Sequence, residues 1–146
     1  MGLLAAGAAF AEDSVVPSPV DCFETSLEMN FLYRADVAEA CLSVPLRFCE
    51  RASNPERCLG PATDDISARL DKTIDALPDS IPGPRWRQEQ YVTDVFELFS
   101  SETTACEIDP TLHIAICTYM DKAIRFYSAL LLLERAETAL AGAERP

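Results

Sequence analysis

The stretch TLHIAICTYMDKAIRFYSALLLLE, residues 111–134, decides the fold. Leu112, Ile116, Tyr119, Ala123, Phe126, Leu130 and Leu133 recur at alternating spacings of four and three, which places them all on one side of an α-helix. A stripe this regular serves either long antiparallel packing within a domain or the docking of a partner helix. The apolar run Ala129 to Leu133 is flanked closely by Arg125, Glu134 and Arg135, so it is no membrane anchor and no integral span is expected.

Toward the N-terminus, Asp109-Pro110 predicts the start of that helix, with Asp as cap and Pro at the first helical position. Arg85 to Cys106 predicts one long amphipathic helix, with Val92, Val95, Phe96, Phe99 and Cys106 along a face and Trp86 and Tyr91 near its start. Pro78, Pro82, Gly83 and Pro84 form the loop before it. They end a helix that carries Ile66, Leu70, Ile74 and Leu77 behind a Thr63-Asp64-Asp65 cap. From Asp21 to Arg51 the pattern is helical but interrupted, with Phe23, Leu27, Phe31 and Leu32 on one side and Val37, Cys41 and Val44 on another. Asn30 marks the break, and Pro45 a first-turn or kink position. No segment alternates with the period of a strand. The expected fold is all-α: a disulfide-stapled antiparallel helical bundle or hairpin with a long C-terminal helix.

The cysteines at 22, 41, 49, 58, 106 and 117 set the compartment. An even number of them in a small chain, behind the short apolar stretch Leu3 to Phe10 and the small residues Ala9 and Ala11, reads as a disulfide framework in an exported protein. Residues 1–11 are therefore expected to be a signal peptide, partial because no Lys or Arg precedes the apolar run. Residues 12–20, with Pro17 and Pro19, read as a flexible leader and 21–142 as a single domain. The expected location is periplasmic or secreted. Sequential pairs, Cys22–Cys41, Cys49–Cys58 and Cys106–Cys117, are favoured because each closes a local loop or hairpin, although fifteen connectivities are open to six cysteines. The first pair requires the break at Asn30, since unbroken helix would hold Cys22 and Cys41 about 28 Å apart.

A formal charge of −12, from 24 acidic against 12 basic residues, argues against nucleic acid and anionic lipid and permits a basic partner. Catalytic and metal-binding patterns are lacking. His113 is the one histidine, there is no Cys-x-x-Cys, and no Gly-x-Ser-x-Gly elbow or Gly-rich phosphate loop occurs. Asp64, Asp65, Asp71 and Asp75 crowd one helix, but Asp64, Asp71 and Asp75 lie opposite Ile66 and Ile74, as a solvated face does. Neither enzyme activity nor a cofactor is expected. The candidate contact residues are Arg85, Trp86, Arg87 and Tyr91 beside the Pro-Gly-Pro loop, together with Asp64, Asp71 and Asp75. Trp86 either presents its ring to a partner or folds back onto the core.

From Cys58 onward the chain resembles the lysozyme-inhibitor LprI-type N-terminal domain family, small exported cysteine-containing helical domains. Cys58 is followed by Leu70, Asp71, Ile74 and Leu77 at the family's spacings. Arg85, Gln88 and Tyr91 approximate its next helix, and Cys106, Cys117 and Arg125 its closing portion. The family's aromatic-Arg-Asp group is replaced by Val92-Thr93-Asp94-Val95-Phe96, and Cys106 comes about two helical turns late. The resemblance spans residues 49–133 and implies a divergent member that inhibits a basic lysozyme-type muramidase by occluding its cleft. The alternative expectation is a structural or assembly component of the cell envelope that uses the stripe from Leu112 to Leu133 to bind a partner or a second copy.

Overall fold

The computed structural model describes residues 16, 18–100 and 105–144, which form six helices and, among the described residues, no strand. Residues 1–11, expected to be a signal peptide, and the expected leader apart from residues 16 and 18–20 lie outside them. All-α architecture is thus shown, and so are the three sequential disulfides, with Cα–Cα distances of 5.6, 5.7 and 5.3 Å for Cys22–Cys41, Cys49–Cys58 and Cys106–Cys117.

Helix α1 (Pro19–Ser26) begins with Ser18, whose hydroxyl accepts from the Val20 amide, and Pro19 at the first position. Pro19 and Val20, at the end of the expected leader, are buried in this helix. Asn30 caps α2 (Phe31–Cys49) by accepting from the Leu32 amide at 3.1 Å. The break it marks folds α1 back on α2 and brings Cys22 to Cys41. Arg34 holds this corner: its guanidinium donates to the carbonyls of Leu27 (2.6 Å) and Met29 (3.1 Å) and pairs with Glu134 at 2.6 Å. Carbonyls left over at the end of α1 thereby find a charged donor. Pro45 sits inside α2 and is buried.

Helix α3 (Pro55–Ala76) starts well before the Thr63-Asp64-Asp65 cap read from the sequence. Its cap is Asn54, whose carboxamide oxygen accepts from Arg57 N at 3.0 Å, and Pro55 follows at the first position. Thr63 is mid-helix, its hydroxyl donating back to Leu59 O. Pro61 deprives one turn of a hydrogen bond, but Leu59 and Ala62 on either side of it are buried. The Cys49–Cys58 bridge also fastens the first turn.

The helix expected over Arg85 to Cys106 is described as α4 (Arg85–Ser100) and α5 (Ala105–Ile108), with residues 101–104 of that expectation outside the described residues. One further departure lies in the second half. Asp109-Pro110 is not the start of α6 (Ile114–Ala143); Asp109 instead accepts from Thr111 N (3.1 Å) and Thr111 Oγ1 (2.6 Å) in a tight turn. His113 is the cap, its Nδ1 accepting from the Ala115 amide at 3.0 Å. At 1.5 Å per residue, α6 is about 45 Å long.

The core runs along α6, which packs most extensively on α3. Ile66 and Leu70 meet the α6 stripe, of which Tyr119, Ala123, Phe126 and Leu130 are buried. The middle of the stripe is therefore spent inside the domain, on intramolecular helix packing, while Leu112, Ile116 and Leu133 stay partly exposed. Phe23 of α1 abuts Phe126 edge to face, with centroids 6.0 Å apart.

Candidate protein-binding surface

The loop before α4 is shaped by its own sequence. Gly83 adopts φ of 125°, where a side chain is strained, and a Cβ there would lie 3.0 Å from Arg87 Nη1. The loop is tied to α4 by two hydrogen bonds, Ile81 N to Gln88 Oε1 (2.7 Å) and Tyr91 Oη to Pro78 O (2.5 Å). Burial, with the Asp79 charge second, raises the Tyr91 phenol above the usual tyrosine range, which keeps it a hydrogen-bond donor.

That anchoring leaves the first turn of α4 facing out. Trp86 is 65% exposed, so its ring does not fold back onto the core. The Arg87 guanidinium carbon lies 5.5 Å from the Trp86 ring centroid, and Arg85 pairs with Glu89 at 2.7 Å. Beside them a cleft of about 810 Å³ opens between the start of α4 and the end of α6, lined by Ile81, Trp86, Arg87, Tyr91, Arg135 and Ala139 among others. Trp86, Arg87 and Tyr91 are thus brought together, with Tyr91 buried as the floor, while Arg85 does not line the cleft and stays in solvent. Asp64, Asp71 and Asp75 are exposed on α3 and line neither this cleft nor the one beyond Arg135.

A second apolar surface is the α4 face that the sequence marked out; what the spacing did not reveal is that it turns outward. Val92, Phe96 and Phe99 lie on one face of α4 and point to solvent, Phe96 and Phe99 being 67% and 63% exposed, while Tyr91 and Leu98 supply the buried contacts. The signal was the width of the apolar arc on α4, which exceeds what one neighbouring helix covers. Large outward aromatics in a small domain are the kind of surface that partners cover. No group of three or more His, Cys, Asp or Glu side chains that could hold a metal occurs among the described residues. Every cysteine is in a disulfide.

Fold and surface together define a class: a small all-α domain closed by three local disulfides, with an aromatic face left open along α4. Compared with models of protein families, with curated proteins and with solved structures, the chain has no match. No helix among the described residues is long and apolar enough to cross a membrane.

Proposed function

We propose that this protein is an exported, non-enzymatic protein-binding domain, a divergent relative of the LprI-type lysozyme-inhibitor domains, directed at a basic lysozyme-type muramidase. The observation that carries the reading is the exposed Trp86 with Arg87 on its ring at the mouth of an open cleft, because aromatic and arginine clusters supply most of the energy at interfaces. Three disulfides favour an oxidising compartment. A charge of −12 draws a basic enzyme in from a distance. The mechanism is occlusion: the rigid Pro-Gly-Pro loop and Trp86 enter the enzyme's cleft and exclude the glycan, with no bond made or broken.

The test is titration of the oxidised protein into a c-type lysozyme lysis assay at low and high salt. Near-stoichiometric inhibition that weakens with salt, and that Trp86→Ala relieves without unfolding the domain, is the expected result. Undiminished lysis at a large molar excess of folded protein would exclude this target. The α4 stripe of Val92, Phe96 and Phe99 favours a second reading, an envelope assembly component that docks through α4. A mass that rises with concentration, and is restored to the monomer by Phe96→Ser, would favour that reading.

A further inference from the structure

Helix α4 meets α6 along a narrow line that includes Leu98 and the Asp94–Arg135 ion pair, with Arg135 Nη2 and Asp94 Oδ2 2.7 Å apart. The helix pair opens on both sides of that bridge. One opening is the Trp86 cleft. The other, of about 730 Å³, follows α6 from Met120 to Arg135 and is closed at one end by Ile108 and Leu112. Met120, Ile124, Ser128, Leu131 and Arg135 succeed one another at spacings of four, four, three and four, a single strip of helix surface about 22 Å long.

The floor of this groove is apolar and open. Ile108 and Ile124 are 78% and 53% exposed, and Met120, Leu131 and Leu132 continue the floor. Its walls are acidic: four carboxylates, Asp94, Glu97, Asp109 and Asp121, stand against two guanidiniums, Arg125 and Arg135, an excess of two negative charges. The bonds from Thr111 hold the Asp109 carboxyl below its usual range, so it stays ionised.

We propose that this groove receives a basic amphipathic α-helix of a partner protein. The proposal rests on the protein-binding reading above and adds the partner's local structure and its seat, but it does not require the partner to be a muramidase. A strip of about 22 Å matches four turns of helix, and apolar positions at spacings of three and four on the floor suit the anchors of a docked amphipathic helix. The excess of carboxylates selects Lys and Arg on the flanks of that helix. A second copy of this chain would instead bring a −12 surface against another. Met120 lends the floor an adaptable side chain.

The test uses the full oxidised chain and a fluorescent Leu/Lys amphipathic peptide of about 18 residues, long enough to fill the strip. Binding is read by anisotropy and peptide helicity by circular dichroism, and a Leu/Glu peptide of the same apolar pattern serves as comparison. One-to-one binding of the Leu/Lys peptide that weakens with salt is expected, with no binding of the Leu/Glu peptide. Ile124→Glu should weaken binding by about tenfold or more, because it places an unpaired charge against the apolar anchors. Mere electrostatic adsorption would strengthen instead, since the variant adds negative charge. Glu97→Lys should weaken binding severalfold and flatten its salt dependence, and Phe48→Ala, an exposed apolar site on α2, should change nothing. No binding, equal binding of the Leu/Glu peptide, or indifference to Ile124→Glu in a folded variant would each overturn the proposal. So would a dimer in sedimentation that Ile124→Glu dissolves, which would assign the groove to a second copy. Peptide binding without lysozyme inhibition retires the muramidase and keeps the groove; inhibition that survives Ile124→Glu places the muramidase elsewhere.

Discussion

The α3–α6 pair and the α4–α6 pair are both built from amphipathic helices, yet one is closed and the other half open. On the buried side of α6, large and small side chains alternate, Tyr119 reaching α2 and Phe126 reaching α1 with Ala123 and Ala129 beside them, and all four are fully buried. Along α4, Tyr91 and Leu98 carry the buried contacts while Val92, Phe96 and Phe99 face water. Apolar content is similar in the two, so content alone does not say which helix is core. What differs is coverage: the buried side of α6 is closed over by α1, α2 and α3, whereas α4 leaves a cleft on each side of the Asp94–Arg135 ion pair where it crosses α6.

The comparison breaks most sharply at two phenylalanines. Phe126→Ala should cost about 3–5 kcal/mol by leaving a cavity that its neighbours cannot fill. Phe96→Ala should stay within about 0.5 kcal/mol, since its ring is already in water. Urea unfolding of the two variants side by side checks this, and equal costs would mean that α4 is packed in solution. Next in size is the Cys49–Cys58 bridge, which fastens the start of α3. Replacing both cysteines by serine should lower stability by about 2–4 kcal/mol, mainly by freeing the unfolded chain.

Tyr119 sharpens the contrast chemically. Its hydroxyl donates to the Leu42 carbonyl at 2.9 Å, so Tyr119→Phe should cost about 1 kcal/mol through loss of that bond. Burial holds the phenol well above the ordinary tyrosine value of 10.0, so the folded state favours the neutral form. The resulting stability is fully present below the unfolded-state value and is lost as pH rises above it toward the folded-state value. Urea midpoints of the native protein should therefore fall as pH rises above about 10, and those of Tyr119→Phe should fall less steeply. The smallest effect is expected at the open crossing: Asp94→Ala should cost below about 1 kcal/mol, because its partner Arg135 is half exposed. A larger loss would show that the bridge holds α4 in place.

Much of the fold was legible along the chain because its signals are local. The stripe on α6, the Pro-Gly-Pro loop and the break at Asn30 are written in spacing and in residues with restricted backbones, and that break is what permits Cys22 to reach Cys41. Helix starts were less legible. Asp109-Pro110 and Thr63-Asp64 have the chemistry of caps, but Asp109 bonds its own turn and Thr63 bonds back to Leu59 within a longer helix. Capping residues satisfy whichever backbone groups lie nearest, so their identity does not say whether a helix begins there. The cluster at Arg85, Trp86 and Arg87 could be picked out, but the cleft beside it could not, because its other wall is the end of α6 some fifty residues away.

By itself, then, the sequence determined the helical class, the disulfide framework and the acidic character, each set by periodicity, spacing or composition. Only the tertiary structure decided that the middle of the α6 stripe is consumed internally, that Arg34 locks the α1–α2 corner to Glu134, and that Phe96 and Phe99 look outward. The physical reason is that an apolar arc states what a helix can bury. Which part it does bury depends on how closely the backbones of its neighbours approach, and that is settled only when distant segments pack together.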